Sequence, residues 1–168
     1  MPDPSPQLQA FFERLYDLPV SQYLRESLYL FPALDVLHVL SLLLMVGSVA
    51  VVDLRLLGLA FPQLPISRLS AQVLPFSWIG ALLTFSSGVL LFLPQASRIY
   101  TNPALLAKLV LLVLAGVNLV AWHLLQRRHR VAWDARRAPP WQARIAGATS
   151  LTLWLGVIVS GRMIAFIF

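Results

Sequence analysis

The chain contains no cysteine. That excludes disulfides, thiolate metal sites and thiol nucleophiles. Charge is also scarce: 12% of its 168 residues are Asp, Glu, Lys or Arg, where a soluble domain carries about a quarter. Motifs of covalent catalysis are missing as well. No serine elbow, phosphate loop or pair of acids set for a cleft is found, so at most a redox or electron-transfer subunit is left among enzymes. The opening MPDPSPQ lacks the basic and apolar regions of a signal peptide, and no cleavage is expected.

What the chain does have is apolar surface. Hydrophobic residues make up 58% of it and the mean hydropathy is +0.75. An integral membrane protein follows, with a single membrane domain. Four segments approach or exceed the roughly 20 apolar residues that a membrane-spanning helix needs. They cover 31–61, 72–93, 103–125 and 143–168. The breaks read PQLPIS, PQASRIYTNP and RRHRVAWDARRAPPWQAR. Asn102-Pro103 reads as a helix start, since proline at the first helical position loses no needed N–H. Ahead of the first span, Leu8, Phe11, Phe12, Leu15 and Leu18 recur at helical spacing, with Glu13, Arg14 and Asp17 opposite. Residues 1–30 therefore read as an amphipathic surface segment. The expected fold is all-α: an up-down bundle of four transmembrane helices over 31–168, preceded by that surface helix.

The net charge of +6 does not point to nucleic acid, because six of the thirteen basic residues lie between Arg127 and Arg144. A basic cluster beside a span is a topology signal. Arg55 and Arg68 follow span 1, on the same side as that cluster. Arg14, Arg25 and Arg98 lie opposite, diluted by Asp3, Glu13, Asp17 and Glu26. The excess of arginine marks the cytoplasmic side, so both termini are expected outside a bacterial inner membrane.

Polar residues gather toward one end of the expected bundle. At ~1.5 Å per residue, His38 lies two turns into span 1 and Asp35 one turn nearer the water. Lys108 enters span 3 and Arg162 leaves span 4 on the same side, and Ser86 and Ser87 come near the outer end of span 2. Intramembrane charges are costly and pair or mark function. One reading is structural: Asp35 pairs with Lys108 or Arg162, and His38 bonds a carbonyl or serine. The sharper reading is b-type haem. His38 would ligate the iron with Asp35 orienting its second ring nitrogen, and Lys108 and Arg162 would take the propionates. Met45 or Met163 would be the second axial ligand, or it would come from a partner subunit or be absent. His123 is too deep to share an iron with His38 and, beside Trp122, reads as part of an interfacial belt. Trp78, Trp133, Trp141 and Trp154 read as interface anchors, His129 as a loop residue and Asn118 as interhelical glue.

Small residues suggest a second class of function. Ser77, Gly80, Thr84 and Gly88 form one stripe on span 2, and Thr149, Thr152, Gly156 and Met163 another on span 4. Such stripes let helices approach closely, as in a cofactor-free subunit of a membrane complex or a homo-oligomer. A small-solute or metal transporter is a weaker third reading, since no inverted repeat is visible.

The stretches LRESLYLFPALDVLHVL and DLRLLG, TNPALLAK opening span 3 and SGRMIAF closing span 4 carry a likeness to a family. Over residues 21–168 the chain resembles small uncharacterised bacterial four-helix inner-membrane proteins grouped as a domain of unknown function. More distantly it is similar to the membrane domain of the copper-resistance D superfamily. That second likeness implies metal or haem handling at His38. The chain departs from it in lacking the many His and Met residues of a copper pathway.

Overall fold

A computed structural model describes residues 5–134 and 138–166. Among these residues every regular element is helical. Two short helices, α1 (Pro6–Tyr16) and α2 (Pro19–Glu26), precede α3 (Leu30–Leu57) and α4 (Ile66–Phe92). A 3-10 turn, Leu93–Gln95, and the single-turn α5 (Ala96–Ile99) lead to α6 (Pro103–Asp134) and α7 (Trp141–Met163). Four helices are long and apolar enough to cross a membrane.

The boundaries differ from the sequence-based expectation for identifiable reasons. The N-terminal segment is two helices because Pro19 holds Leu18 in an extended conformation, with ψ of 142°, as a residue before proline prefers. The first long helix stops at Leu57 rather than at 61. Gly58 takes up a left-handed φ of 80°, and its N–H returns to the carbonyls of Arg55 and Leu54, the usual glycine stop. The second starts at Ile66 instead of 72. The third runs 32 residues to Asp134, straight through most of the basic stretch. At 1.5 Å per residue it is roughly 48 Å long.

The long helices alternate up and down. α3 packs along α4 and α7, and α6 along α7, whereas α4 and α6 hardly touch. The bundle is therefore closed on three sides, with a cleft between α4 and α6.

Side chains tie both ends. At one end Asn102 caps α6, its Oδ1 accepting the amides of Ala104 at 2.9 Å and Leu105 at 3.3 Å. Its side-chain amide donates to the Ile164 carbonyl at the end of α7. Phe12 of α1 stacks on Tyr100 at 4.6 Å and meets Phe92 edge-on, so the N-terminal helix lies across the α4–α6 connection. At the other end, buried Arg55 donates through Nε to the Leu64 carbonyl at 2.8 Å. Asp134 receives the amide and hydroxyl of Ser67. Trp122 and Trp133 stack 5.4 Å apart in a cluster with Leu56, Ile66 and Ala143. These two tryptophans are core residues, not the interface anchors expected of them. His129 stacks on Trp133 from the exposed side.

Large apolar side chains cover the outside of the long helices. Leu43, Leu82, Val113 and Leu155 are each more than 60% exposed. Such a surface greatly exceeds the patches that water-soluble monomers tolerate.

Candidate functional site

The small-residue stripe of α4 faces α3 within this chain. A Cβ at Gly80 would lie 2.6 Å from the Met45 backbone nitrogen, so only glycine allows the helices this approach. The span 4 stripe differs from its expected register. Thr149, Thr152 and Met163 are exposed, whereas Ala143, Gly147, Ser150 and Val157 are buried.

Close packing along α4 produces a hydrogen-bonded seam toward the end where α3 begins and α4 stops. Thr84 donates to Ser41 at 3.1 Å, and Ser41 to the His38 carbonyl at 3.0 Å. His38 Nδ1 lies 3.0 Å from the Ser87 hydroxyl. That hydroxyl donates to backbone carbonyls, with Leu83 at 2.6 Å and Thr84 at 3.2 Å as its acceptors. Its lone pair therefore faces the ring, and Nδ1–H donates to it. The imidazole is held as the tautomer whose Nε2 carries the free electron pair. Gly88 makes room for the ring: a Cβ there would be 3.1 Å from His38 Cε1.

Across the cleft, α6 contributes Lys108, the one lysine in the chain. Its ammonium lies against Gly161 of α7, 3.2 Å from where a Cβ would be. His38 and Lys108 line one cavity of about 190 Å³, with Phe85, Phe92, Leu112 and Trp154 among its walls. Lys108 is half-buried and has no ion pair among the described residues.

The structure thus brings His38 and Lys108 together but not the rest of the expected layer. Asp35 is exposed and has no ion pair among the described residues. Ser87, not Asp35, holds the imidazole nitrogen. Arg162 is exposed as well, its guanidinium 5.6 Å from the centre of the Phe166 ring. It extends along the surface rather than into the cleft, as long basic side chains do near helix ends. Met45 is buried beside both His38's cavity and Gly80. It follows His38 by seven residues, an axial offset of roughly 10 Å, so the two cannot bind opposite faces of one iron. Met163, 40% exposed, points to the surface.

No group of three His, Cys, Asp or Glu side chains among the described residues is placed to hold a bare metal ion. A porphyrin supplies four ligands of its own iron and needs one or two from the protein. His38 can be one. His38 is the one imidazole and Lys108 the one cation lining this cavity. Ser87 and Gly88 were visible in the sequence as a polar and a small residue of span 2, but not what they stand against, and Gly161 was not singled out.

The profile of a family described as "Family of unknown function (DUF6644)" matches residues 29–167. No curated protein and no solved structure matches the chain.

Proposed function

Since the chain belongs to this family of unknown function, which lends it no chemistry, we propose a role from the cleft residues themselves. The chain is an integral membrane protein that holds b-type haem between α4 and α6, near the end where α3 begins. His38 Nε2 is the axial ligand and Lys108 faces a propionate. Electron transfer or haem handling is the activity. The observation that carries this reading is that His38, its Nδ1 held by Ser87, lines one cavity with an ammonium that has no ion pair among the described residues.

The physical chemistry supports that pairing. A neutral imidazole whose other nitrogen is held by a hydrogen bond is the usual form of a haem or metal ligand. A half-buried ammonium without a counter-ion is costly in an apolar cleft, and a ligand carboxylate offsets that cost. The aromatic and aliphatic walls suit a flat macrocycle. No support is drawn from copper-resistance D, whose likeness none of the comparisons carries.

Membrane placement rests on the four apolar helices and their exposed apolar sides. Arg55 at the end of α3, Arg68 at the start of α4 and the arginines around the α6–α7 connection favour a cytoplasmic position for that end. The haem then sits near the outer face, with both termini outside.

The test is an absorption spectrum of protein purified from haem-replete cells, oxidised and then reduced with dithionite. A Soret band that is lost in His38→Ala, and weakened on haem titration of Lys108→Met, is the expected result. A colourless protein that also gives no Soret shift with added haemin overturns the haem reading. It would leave a cofactor-free subunit of a membrane complex as the better account.

A further inference from the structure

The cleft has a second chamber beyond Met45, toward the end where α3 stops. It measures about 220 Å³ and shares Met45, Phe85, Leu112 and Trp154 with the first. Asp53, Ser70, Ser77, Asn118, His123 and Ser150 contribute its polar groups, and Trp78 and Trp122 flank it. Asp53 is only 4% exposed. Ser150 hydrogen-bonds its carboxyl group, but Oδ2 is buried with no partner. The Ser70 hydroxyl is likewise buried and unpartnered. A carboxylate oxygen and a hydroxyl withdrawn from water and left open are expensive, and native proteins rarely keep them without a reason.

Asn118 spends an N–H on the Ala146 carbonyl at 3.2 Å, leaving its Oδ1 to accept. His123 Nδ1 lies 2.9 Å from the Leu119 carbonyl. A carbonyl only accepts, so Nδ1 holds a proton there. No lysine or arginine lines the chamber. Its polar lining thus joins one carboxyl group, an amide oxygen and an imidazole with the Ser70, Ser77 and Ser150 hydroxyls, set among indole rings.

We propose that this inner chamber is a binding site for a lipophilic organic amine in its protonated form. The ammonium hydrogen-bonds Asp53 Oδ2 and Ser70 Oγ, and the apolar body lies against the tryptophans. Anions have no cation to meet there. An ammonium offsets the buried charge and gains attraction from aromatic faces. Access is lateral: Trp78 and Phe85 at the α4 wall are 64% and 60% exposed, and Gly116 opposite them on α6 has nothing within 4 Å of where its Cβ would be. A membrane-dissolved amine could therefore enter between α4 and α6 without the bundle opening. The site lies apart from His38 and does not depend on haem.

The full chain in lipid nanodiscs is titrated by calorimetry with 1-naphthylmethylamine, 1-naphthalenemethanol and 1-naphthoate at neutral pH, with empty nanodiscs as the blank. The amine is expected to saturate at one site per chain and to bind at least roughly tenfold more tightly than the alcohol or the acid, as a desolvated ion pair requires. Asp53→Asn, of equal size, should remove that preference. Gly116→Leu fills the mouth without a clash and should weaken all binding. His38→Ala should leave the amine affinity unchanged, which separates this site from the haem reading. Equal binding of amine and alcohol overturns the proposal, as does unaltered amine binding in Asp53→Asn. If Asp53→Asn does not purify, unaltered amine binding in Gly116→Leu has the same force.

Discussion

The carboxylate of Asp134, in the last turn of α6, accepts the backbone amide of Ser67 at 3.1 Å in the first turn of α4. The N-cap position of α4 is Pro65, which offers no side-chain acceptor. A residue 67 positions away thus supplies what a local cap normally would. Charge attraction with buried Arg55 adds to it. Asp134→Ala should therefore lower stability by about 0.5–2 kcal/mol, as cap removal does. Thermal unfolding in detergent, read by circular dichroism, checks this, with Asp134→Asn retaining part of the loss. An unchanged melting temperature in both would mean the cap contributes nothing.

Gly80 and Gly116 make a matched pair. Gly80 sits on the backbone of Met45, with a Cβ position 2.6 Å from its nitrogen, while Gly116 faces open space. Gly80→Ala must push α3 and α4 apart and should cost about 1–3 kcal/mol, the range for overpacking. Gly116→Ala should be neutral or stabilising by up to about 1 kcal/mol through helix propensity. Size-exclusion chromatography alongside unfolding separates fold from assembly. A Gly80→Ala protein of normal stability but altered oligomeric state would place this face between subunits instead.

Ser87 holds His38 Nδ1. On the haem reading, Ser87→Ala frees the imidazole to rotate and to change tautomer. Haem affinity should then fall roughly tenfold to hundredfold, the usual effect of losing a partner behind a metal ligand. Haemin titration followed at the Soret band gives the number. Asp35→Asn, whose side chain is exposed, serves as the comparison and should change affinity much less. The reverse order would return the orienting role to Asp35.

The cysteine-free sequence makes topology directly measurable. Gln7→Cys on α1 and Ala138→Cys ahead of α7 both lie at exposed positions. With termini outside, an impermeant maleimide added to intact cells lacking an outer barrier should label Gln7→Cys and spare Ala138→Cys until lysis. The opposite pattern inverts the orientation and moves the haem site to the cytoplasmic face.

Legibility in the sequence followed the range of each interaction. The start of α6 at Asn102-Pro103 was visible because a cap and an N-terminal proline act within one turn. The end of α6 was not. Its basic run looked like a loop, yet Trp133 continues the helix because it stacks on Trp122 and packs over Leu56 and Ile66. That favourable burial is invisible in local composition. Gly80 and Gly88 were recognisable as a packing stripe. Which helix they pack against, and that it belongs to the same chain, was not.

By itself the sequence determined four apolar helices, their alternating direction and the end at which His38 and Lys108 meet, because span length and connectivity depend only on residue order. Tertiary structure alone decided which polar side chains look inward. A helix turns 100° per residue, so Asp35 and His38 share a broad face, yet one is exposed and the other is pinned to Ser87. Arg162 turns outward and Lys108 inward for the same reason. The splay of α4 from α6, and hence the cleft and its two chambers, depends on how all four helices pack together. No pattern along one helix encodes the space left between two others.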